Sequence, residues 1–335
     1  MSFVREYLLP RVFQYLLVTF LGLSAAFILP RLMPINPVQQ KIAQYQSFGV
    51  YIPPEQRDAM IQTLKELYGL EGTLLEQYVA FWKRLLRGDF GPSLAQFPTP
   101  VMELVSRHLP WTLGLLALTT LLGWVLGTLV GGIAGYYARS KWTQLLDGIA
   151  MFVRPIPYYI LSLLLLLFLA YVFPIFPLGG GAGVGVQLTL NLRTIRNILH
   201  HAALPALTLI IAGGVTHFQA MKLIVQSVRS EDYVSYAKAA GIDERRIAFR
   251  YVIRNAMLPT ITQLGLSFGF VFSGALITEM VFAYPGIGWV LYNAVMNGDY
   301  NLIMAIACIS VVAITTSVFV LDLLYPLVDP RVRYR

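Results

Sequence analysis

Four ionisable side chains stand within or beside long apolar runs: Arg154, Lys222, Glu279 and Asp322. Charge is costly in hydrocarbon, so such groups usually face a protein interior or an aqueous cavity, and they often mark the route of a solute. Arg154 and Lys222 could equally snorkel to the membrane surface. Asp322, near the end of the last apolar run, suits a structural partner or a helix N-terminus. Enzymatic chemistry has far less to stand on. There is no G-x-x-x-x-G-K-[ST] phosphate loop, no H-E-x-x-H, no G-x-S-x-G and no Cys/His metal spacing. His200 and His201 are adjacent, whereas a metal pair on one helix face needs a spacing near four, so a cap or interface role fits them better. His108 and His217 are isolated and read as structural residues. The single cysteine, Cys308, excludes an internal disulfide and reads as a small core residue.

The elements that must position these groups are apolar. Of 335 residues, 57% are hydrophobic and 13% charged, with mean hydropathy +0.64. Soluble domains average about 25% charged residues, so composition alone predicts an integral membrane protein. The net charge of +8 sits beside the apolar runs, as membrane orientation requires, and does not point to nucleic acid. The first run covers about 10–33. It is too long for a signal peptide and lacks a small-residue cleavage site, which predicts an uncleaved span. Five more runs lie near 110–138, 147–173, 202–227, 258–283 and 301–326, each able to cross ~30 Å of hydrocarbon as a helix. Gly123, Gly127, Gly131 and Gly135 form a small-xxx-small stripe for close packing. Pro155 and Pro157 should bend the third span. The expected division is 1–33 for the N-terminus and first span, 34–107 for an external helical insertion, and 108–335 for a five-helix core. In the insertion, Met60, Leu64 and Leu67, then Leu74, Tyr78, Phe81 and Leu85, suit two amphipathic helices. Arg139, Lys141, Lys238, four arginines between 245 and 254, and Arg331, Arg333 and Arg335 place both termini and the loop at 228–257 in the cytoplasm.

That cytoplasmic loop is the most polar long segment of the second half. Ser230 is an expected N-cap, with Glu231 and Asp232 on the first turn. Tyr233, Tyr236, Ala237 and Ala240 recur at helical spacing and make a small apolar face. Gly241 suits the left-handed position that ends a helix, and Asp243 can cap a second helix carrying Arg245, Arg246, Arg250 and Arg254. The result is a knob suited to docking on a soluble partner.

These residues also resemble a known family. Asp232-Tyr233-Val234, Ala237-Lys238-Ala239 and Gly241, then Arg254-Asn255-Ala256 and Leu258-Pro259, resemble the EAA loop of permease subunits of ABC importers, most closely the oligopeptide/dipeptide branch. Glu279 to Gly288, Asp322-Leu-Leu-Tyr and Asp329 to Tyr334 agree. The likeness runs over nearly the whole chain; Ser235 replaces the Glu that names the wider motif, as in other members of the branch. The resemblance implies an all-α, type I importer-like permease of six transmembrane helices in the cell membrane, working by alternating access. It implies a second homologous permease, two cytoplasmic ABC ATPases that bind ATP and Mg, and an external solute-binding protein. No cofactor or enzymatic activity is implied for this chain. Tyr233, Tyr236, Ala237, Lys238, Ala239, Ala240, Gly241 and Ile242 would form the coupling helix seated in an ATPase groove, where bulk at Ala237 or Ala240 should break docking. Glu279, Tyr284, Pro285 and Gly286 would shape an external gate.

The substrate stays open between oligopeptide and oligosaccharide. Peptide permeases commonly carry paired basic residues around Gln219–Lys222, and here only Lys222 is basic. The external glycine-rich loop at 179–185 fits either substrate. The alternative is a stand-alone secondary transporter or channel, which would need coupling-ion ligands or inverted repeats; neither is visible.

Overall fold

A computed structural model describes residues 3–32, 37–47, 49, 53–183, 185–186, 189, 191–271 and 275–328. The expected motif at 329–334 lies outside them. Among the described residues the chain is helical throughout, without strands: α1 Leu9–Leu32, α2 Pro37–Ser47, α3 Pro54–Leu67, α4 Leu74–Leu86, α5 Val101–Tyr136, α6 Lys141–Val153, α7 Tyr158–Leu166, α8 Leu192–Arg229, α9 Asp232–Ala239, α10 Glu244–Arg246, α11 Arg254–Phe270, α12 Leu276–Val281, α13 Ile287–Met296 and α14 Tyr300–Val328. Wider π-helical turns precede α1 and α11 and extend α7.

Among the described residues, four helices are long and apolar enough to cross a bilayer: the first, α5, α8 and α14. The α6–α7 pair would be a fifth, broken by a 98° bend at Arg154–Pro157, where Pro155 cannot donate a helical hydrogen bond and Pro157 is the N-cap of α7. The bend expected from the prolines is thus present. The sixth expected span, 258–283, is not one continuous helix. It maps onto α11 and the short α12, with Ala275 at φ −104°, ψ 68° before the second.

The described chain divides into two compact units. The first comprises Met1–Pro110 and Gly286–Thr316. In it, α1 lies on α14: Thr19 donates to Thr315 at 3.0 Å, Tyr15 and Thr316 hydroxyls lie 3.1 Å apart, and a Cβ on Gly22 would stand 2.7 Å from Val311 Cγ1. Leu23 and Phe27 of α1, Phe81 of α4 and Cys308 of α14 share one apolar cluster. The cysteine therefore serves as the small core residue expected. The α4 start is built by a capping box: Thr73 Oγ1 accepts from the Glu76 amide, while Glu76 Oε2 accepts from the Thr73 amide at 2.7 Å. Asp299 fastens the insertion to the start of α14. Its buried carboxylate accepts from the Leu302 amide at 3.2 Å, from the Ala95 amide at 3.1 Å and from Ser93 Oγ. Asn301 donates to the carbonyls of Leu67 and Pro92 at 3.1 and 3.0 Å. The fifth helix starts at Val101, within the 34–107 stretch expected as insertion.

The second unit comprises Trp111–Pro285 and Ser317–Arg335. Its spine is α5 against α8. A Cβ on Gly127 would approach the Gly214 carbonyl oxygen to 2.5 Å, one on Gly131 would meet the Phe218 carbonyl oxygen, and one on Gly135 would reach 2.7 Å from that of Lys222. The glycine stripe is therefore a close backbone seam, the packing role its spacing predicts. Trp124 Nε1 donates to the Thr260 carbonyl at 3.0 Å and ties α5 to α11.

Candidate functional site

The cytoplasm-directed loop of the sequence reading is one packed object. α9 turns its Val234 and Ala237 inward, 0% and 5% exposed. They join Tyr136 of α5, Met221 and Val225 of α8, and Val252, Ile253 and Ala256 ahead of and within α11 in one apolar cluster, with Ile242 packed at its edge. Tyr236 is 74% exposed, and Lys238, Ala239, Ala240 and Gly241 are exposed beside it. The face expected from spacing is thus divided. Ala237 supports the helix from beneath, and the outward surface is carried by Tyr236, Ala239 and Ala240.

Polar contacts complete the anchoring. The Tyr233 hydroxyl donates to the Tyr251 carbonyl at 3.2 Å and accepts from Asn255 Nδ2 at 3.1 Å; Asn255 also donates to that carbonyl at 2.7 Å. The two halves of the motif, Asp232–Gly241 and Arg254–Pro259, are in this way bonded to each other. Arg229 donates to the Tyr136 carbonyl at 2.8 Å and lies over the Tyr136 ring. Gly241 has φ +74° and follows the C-cap Ala240, as its position predicts. Asp243 caps the next turn through the Arg246 amide at 3.2 Å. Ser230 is not the N-cap expected. Helix α8 runs on to Arg229, Ser230 closes it with its Oγ donating to the Ser227 carbonyl at 2.7 Å, and Glu231 takes the N-cap of α9 without a side-chain cap bond.

At the opposite end of the same unit the chain folds back after α12. Glu279 is fully buried, and its Oε1 accepts from Thr112 Oγ1 of α5 at 2.9 Å. The Tyr284 amide donates to the Glu279 carbonyl at 2.8 Å. Ala283 takes φ 46°, a left-handed conformation that costs a residue with a Cβ. The buried Tyr284 ring meets Trp111 edge-on at 5.7 Å. The Gly180 amide donates to the Phe282 carbonyl at 2.9 Å, and a Cβ on Gly181 would press on Pro285 and Trp111 at 2.6 and 2.9 Å. The expected gate residues Glu279, Tyr284 and Pro285 therefore share one built turn, against which Gly180 and Gly181 pack. Gly286, in the first unit, is the extended N-cap of α13.

The charges of the third and fourth apolar runs are paired. Lys222 of α8 reaches Asp147 of α6, Nζ to Oδ2 at 2.5 Å, and Arg154 at the end of α6 donates to Gln219 of α8 at 2.6 Å. Both contacts join the bent α6–α7 pair to α8. Asp147 and Gln219 were not marked by sequence as partners, since a cross-helix pair has no local spacing signature. His200 and His201 each place a ring nitrogen within 3.1 Å of a backbone carbonyl, of Ile175 and Asn197, as structural residues do. No cluster of metal-ligating side chains occurs among the described residues.

A family model described as binding-protein-dependent transport system inner membrane component matches residues 127–334. The chain belongs to this family. The permease is similar to the oligopeptide transport system permease protein AppB of Bacillus subtilis, 30% identical over 299 residues, covering 89% of this chain and 92% of that one. It is 27% identical over 329 residues to OppB of Salmonella typhimurium, an oligopeptide transport system permease protein, covering 98% and 99%. It is 28% identical over 339 residues to the dipeptide transport system permease protein DppB of Lactococcus lactis, covering 98% and 99%. The resemblance read from the motifs and the all-α membrane fold both hold: this is a multi-pass membrane permease. The matched region contains the 228–257 loop and the turn that follows α12.

Proposed function

We propose that this permease forms part of the pathway of an ATP-driven importer for oligopeptides, delivered by an external binding protein and moved by alternating access. The observation that carries this reading is the two-sided build of α9. Its inner side, Val234 and Ala237, is embedded in a cluster shared with α5, α8 and the start of α11. Its outer side presents Tyr236, Lys238, Ala239 and Ala240. A force applied to that outer side by a cytoplasmic ATPase is transmitted to three helices together, because a packed cluster moves as a body. In this reading two ATPases supply ATP and Mg, a second homologous permease completes the pathway, both termini lie in the cytoplasm, and the turn at Glu279–Gly286 is the external gate. The peptide assignment is supported by the relatives, which are permeases of oligopeptide and dipeptide systems.

The test is reconstitution in proteoliposomes with a second permease, two ATPase subunits and the binding protein. ATP-dependent uptake of trialanine, with ATPase activity that rises on adding the loaded binding protein, is expected. Uptake of maltotriose in place of trialanine would move the substrate to oligosaccharides. Uptake driven by an ion gradient without ATP would replace the importer with a secondary transporter.

A further inference from the structure

The second unit holds a cavity of about 360 Å³ among α5, α7, α8 and α11. Its polar lining is Thr119 and Thr120 of α5, Tyr158 of α7, His217 of α8 and Ser267 of α11, and Gly213 opens onto it from α8. These residues fall in apolar runs that the sequence assigns to the membrane, yet the groups are not spent on each other. Thr119 and Ser267 bond carbonyls of their own helices. The Thr120 and Tyr158 hydroxyls and the His217 ring have no hydrogen-bond partner among the described residues. Such groups left unpaired against hydrocarbon are costly, and polar side chains at membrane depth are sustained by water or by a solute. A Cβ on Gly213 would meet nothing within 4 Å. His217 follows one turn later on the same face, so Gly213 leaves the space that the imidazole borders.

From this lining we infer that the cavity is a water-filled stretch of the translocation pathway, in which Thr120, Tyr158 and His217 hydrogen-bond the amide backbone of a passing peptide. The inference rests on the proposed function. The described lining contains no Asp, Glu, Lys or Arg, so nothing in it selects or repels a charged terminus or side chain. Hydroxyls and an imidazole instead match the donors and acceptors that every peptide bond carries. The charged groups nearest in sequence, Lys222 paired with Asp147 and Arg154 hydrogen-bonded to Gln219, lie outside this lining.

The experiment uses Gly213→Cys in the assembled transporter, in proteoliposomes with trialanine as substrate. The parent chain is the control, since its one thiol, Cys308, is buried. A charged methanethiosulfonate reagent is expected to modify the Gly213→Cys thiol roughly tenfold faster than the parent, because it travels only through water. ATP turnover with loaded binding protein should change that rate, and modification should block most trialanine uptake. Ser267→Cys gives the same readout if Gly213→Cys does not assemble. Modification by a lipid-soluble maleimide alone, at both positions, would overturn the inference and make the cavity lipid-facing. His217→Leu should reduce uptake and His217→Gln should restore it while ATPase assembly is unchanged; equal uptake in all three would remove His217 from the pathway. Absence of any ATP-driven trialanine uptake by the parent would instead count against the proposed function, and labelling by the charged reagent would still report whether water reaches the cavity.

Discussion

Glu279 Oε1 and Thr112 Oγ1 lie 2.9 Å apart, and both side chains are fully buried. The bond joins α12, just before the turn at Phe282–Pro285, to α5 within the second unit. Thr112→Val keeps the shape and removes the donor, leaving a buried carboxyl with one partner fewer. A loss of about 1–3 kcal/mol is expected for such a change, seen as a lower melting temperature in detergent. Glu279→Gln should cost less, since an amide oxygen can accept the same bond. Unchanged melting of Thr112→Val would show that this bond does not support the turn.

The division of the α9 face separates two effects that a single substitution would confuse. Ala237→Arg places a cation in a cluster where Ala237 is 5% exposed, so it should lower the yield of folded protein. Tyr236→Arg changes an outward side chain, so folding and insertion should be normal. The expected result for Tyr236→Arg is loss of stimulated ATPase activity in the reconstituted importer with little change in melting temperature. Full stimulation would remove Tyr236 from the ATPase contact. Gly241→Val should cost about 1–2 kcal/mol through its positive φ, independently of any partner.

What sequence made legible follows from the range of the forces involved. Apolar runs fixed α1, α5, α8 and α14, because lipid demands about 20 apolar residues per crossing. Gly241 and Asp243 were readable because caps are local. Ser230 differs from its expected role because a serine can sit at either end of a helix, and only the continuation of α8 to Arg229 decides between them. The inward turn of Ala237 was hidden because an alternating small apolar face looks alike whether it meets a partner or its own core. Thr112–Glu279, Lys222–Asp147 and the Asp299 clamp join residues far apart in the chain, and no periodicity announces them. The non-helical Ala275 ahead of α12 falls in a run whose average hydrophobicity suits one span, and composition records burial and not continuity.

The seam between α5 and α8 has no room for side chains. Gly131→Val would drive a branched side chain into the Phe218 backbone, and overpacking of this kind costs about 1–3 kcal/mol or forces the helices apart. Gly213→Ala, in the same α8 but facing open space, should leave melting unchanged. The pair is compared by thermal unfolding in one detergent. Equal melting of the two variants would mean that the stripe is not a packing seam.

The insertion carries a pH-sensitive element outside the membrane spans. Hydrogen bonds from the Thr73 amide, and then from its hydroxyl, hold the Glu76 carboxyl below its ordinary pKa range. A depressed carboxylate pKa means that the folded state prefers the ionised form, so the stabilisation is fully present above the ordinary carboxylate range. It is lost as pH falls through the lowered value, when the protonated carboxyl no longer accepts both bonds. The start of α4 should therefore fray selectively in acid. Amide exchange at Glu76 and Gln77 should rise as pH falls below the ordinary carboxylate range, relative to the centre of α4 and after correction for intrinsic exchange rates. Thr73→Ala removes the hydroxyl of the box and Glu76→Gln removes the titrating group. Glu76→Gln should show weaker protection at neutral pH that no longer depends on acid, whereas Thr73→Ala should keep a smaller acid dependence through the surviving amide bond. The same acid response in the parent and in Glu76→Gln would assign the effect to a different carboxylate.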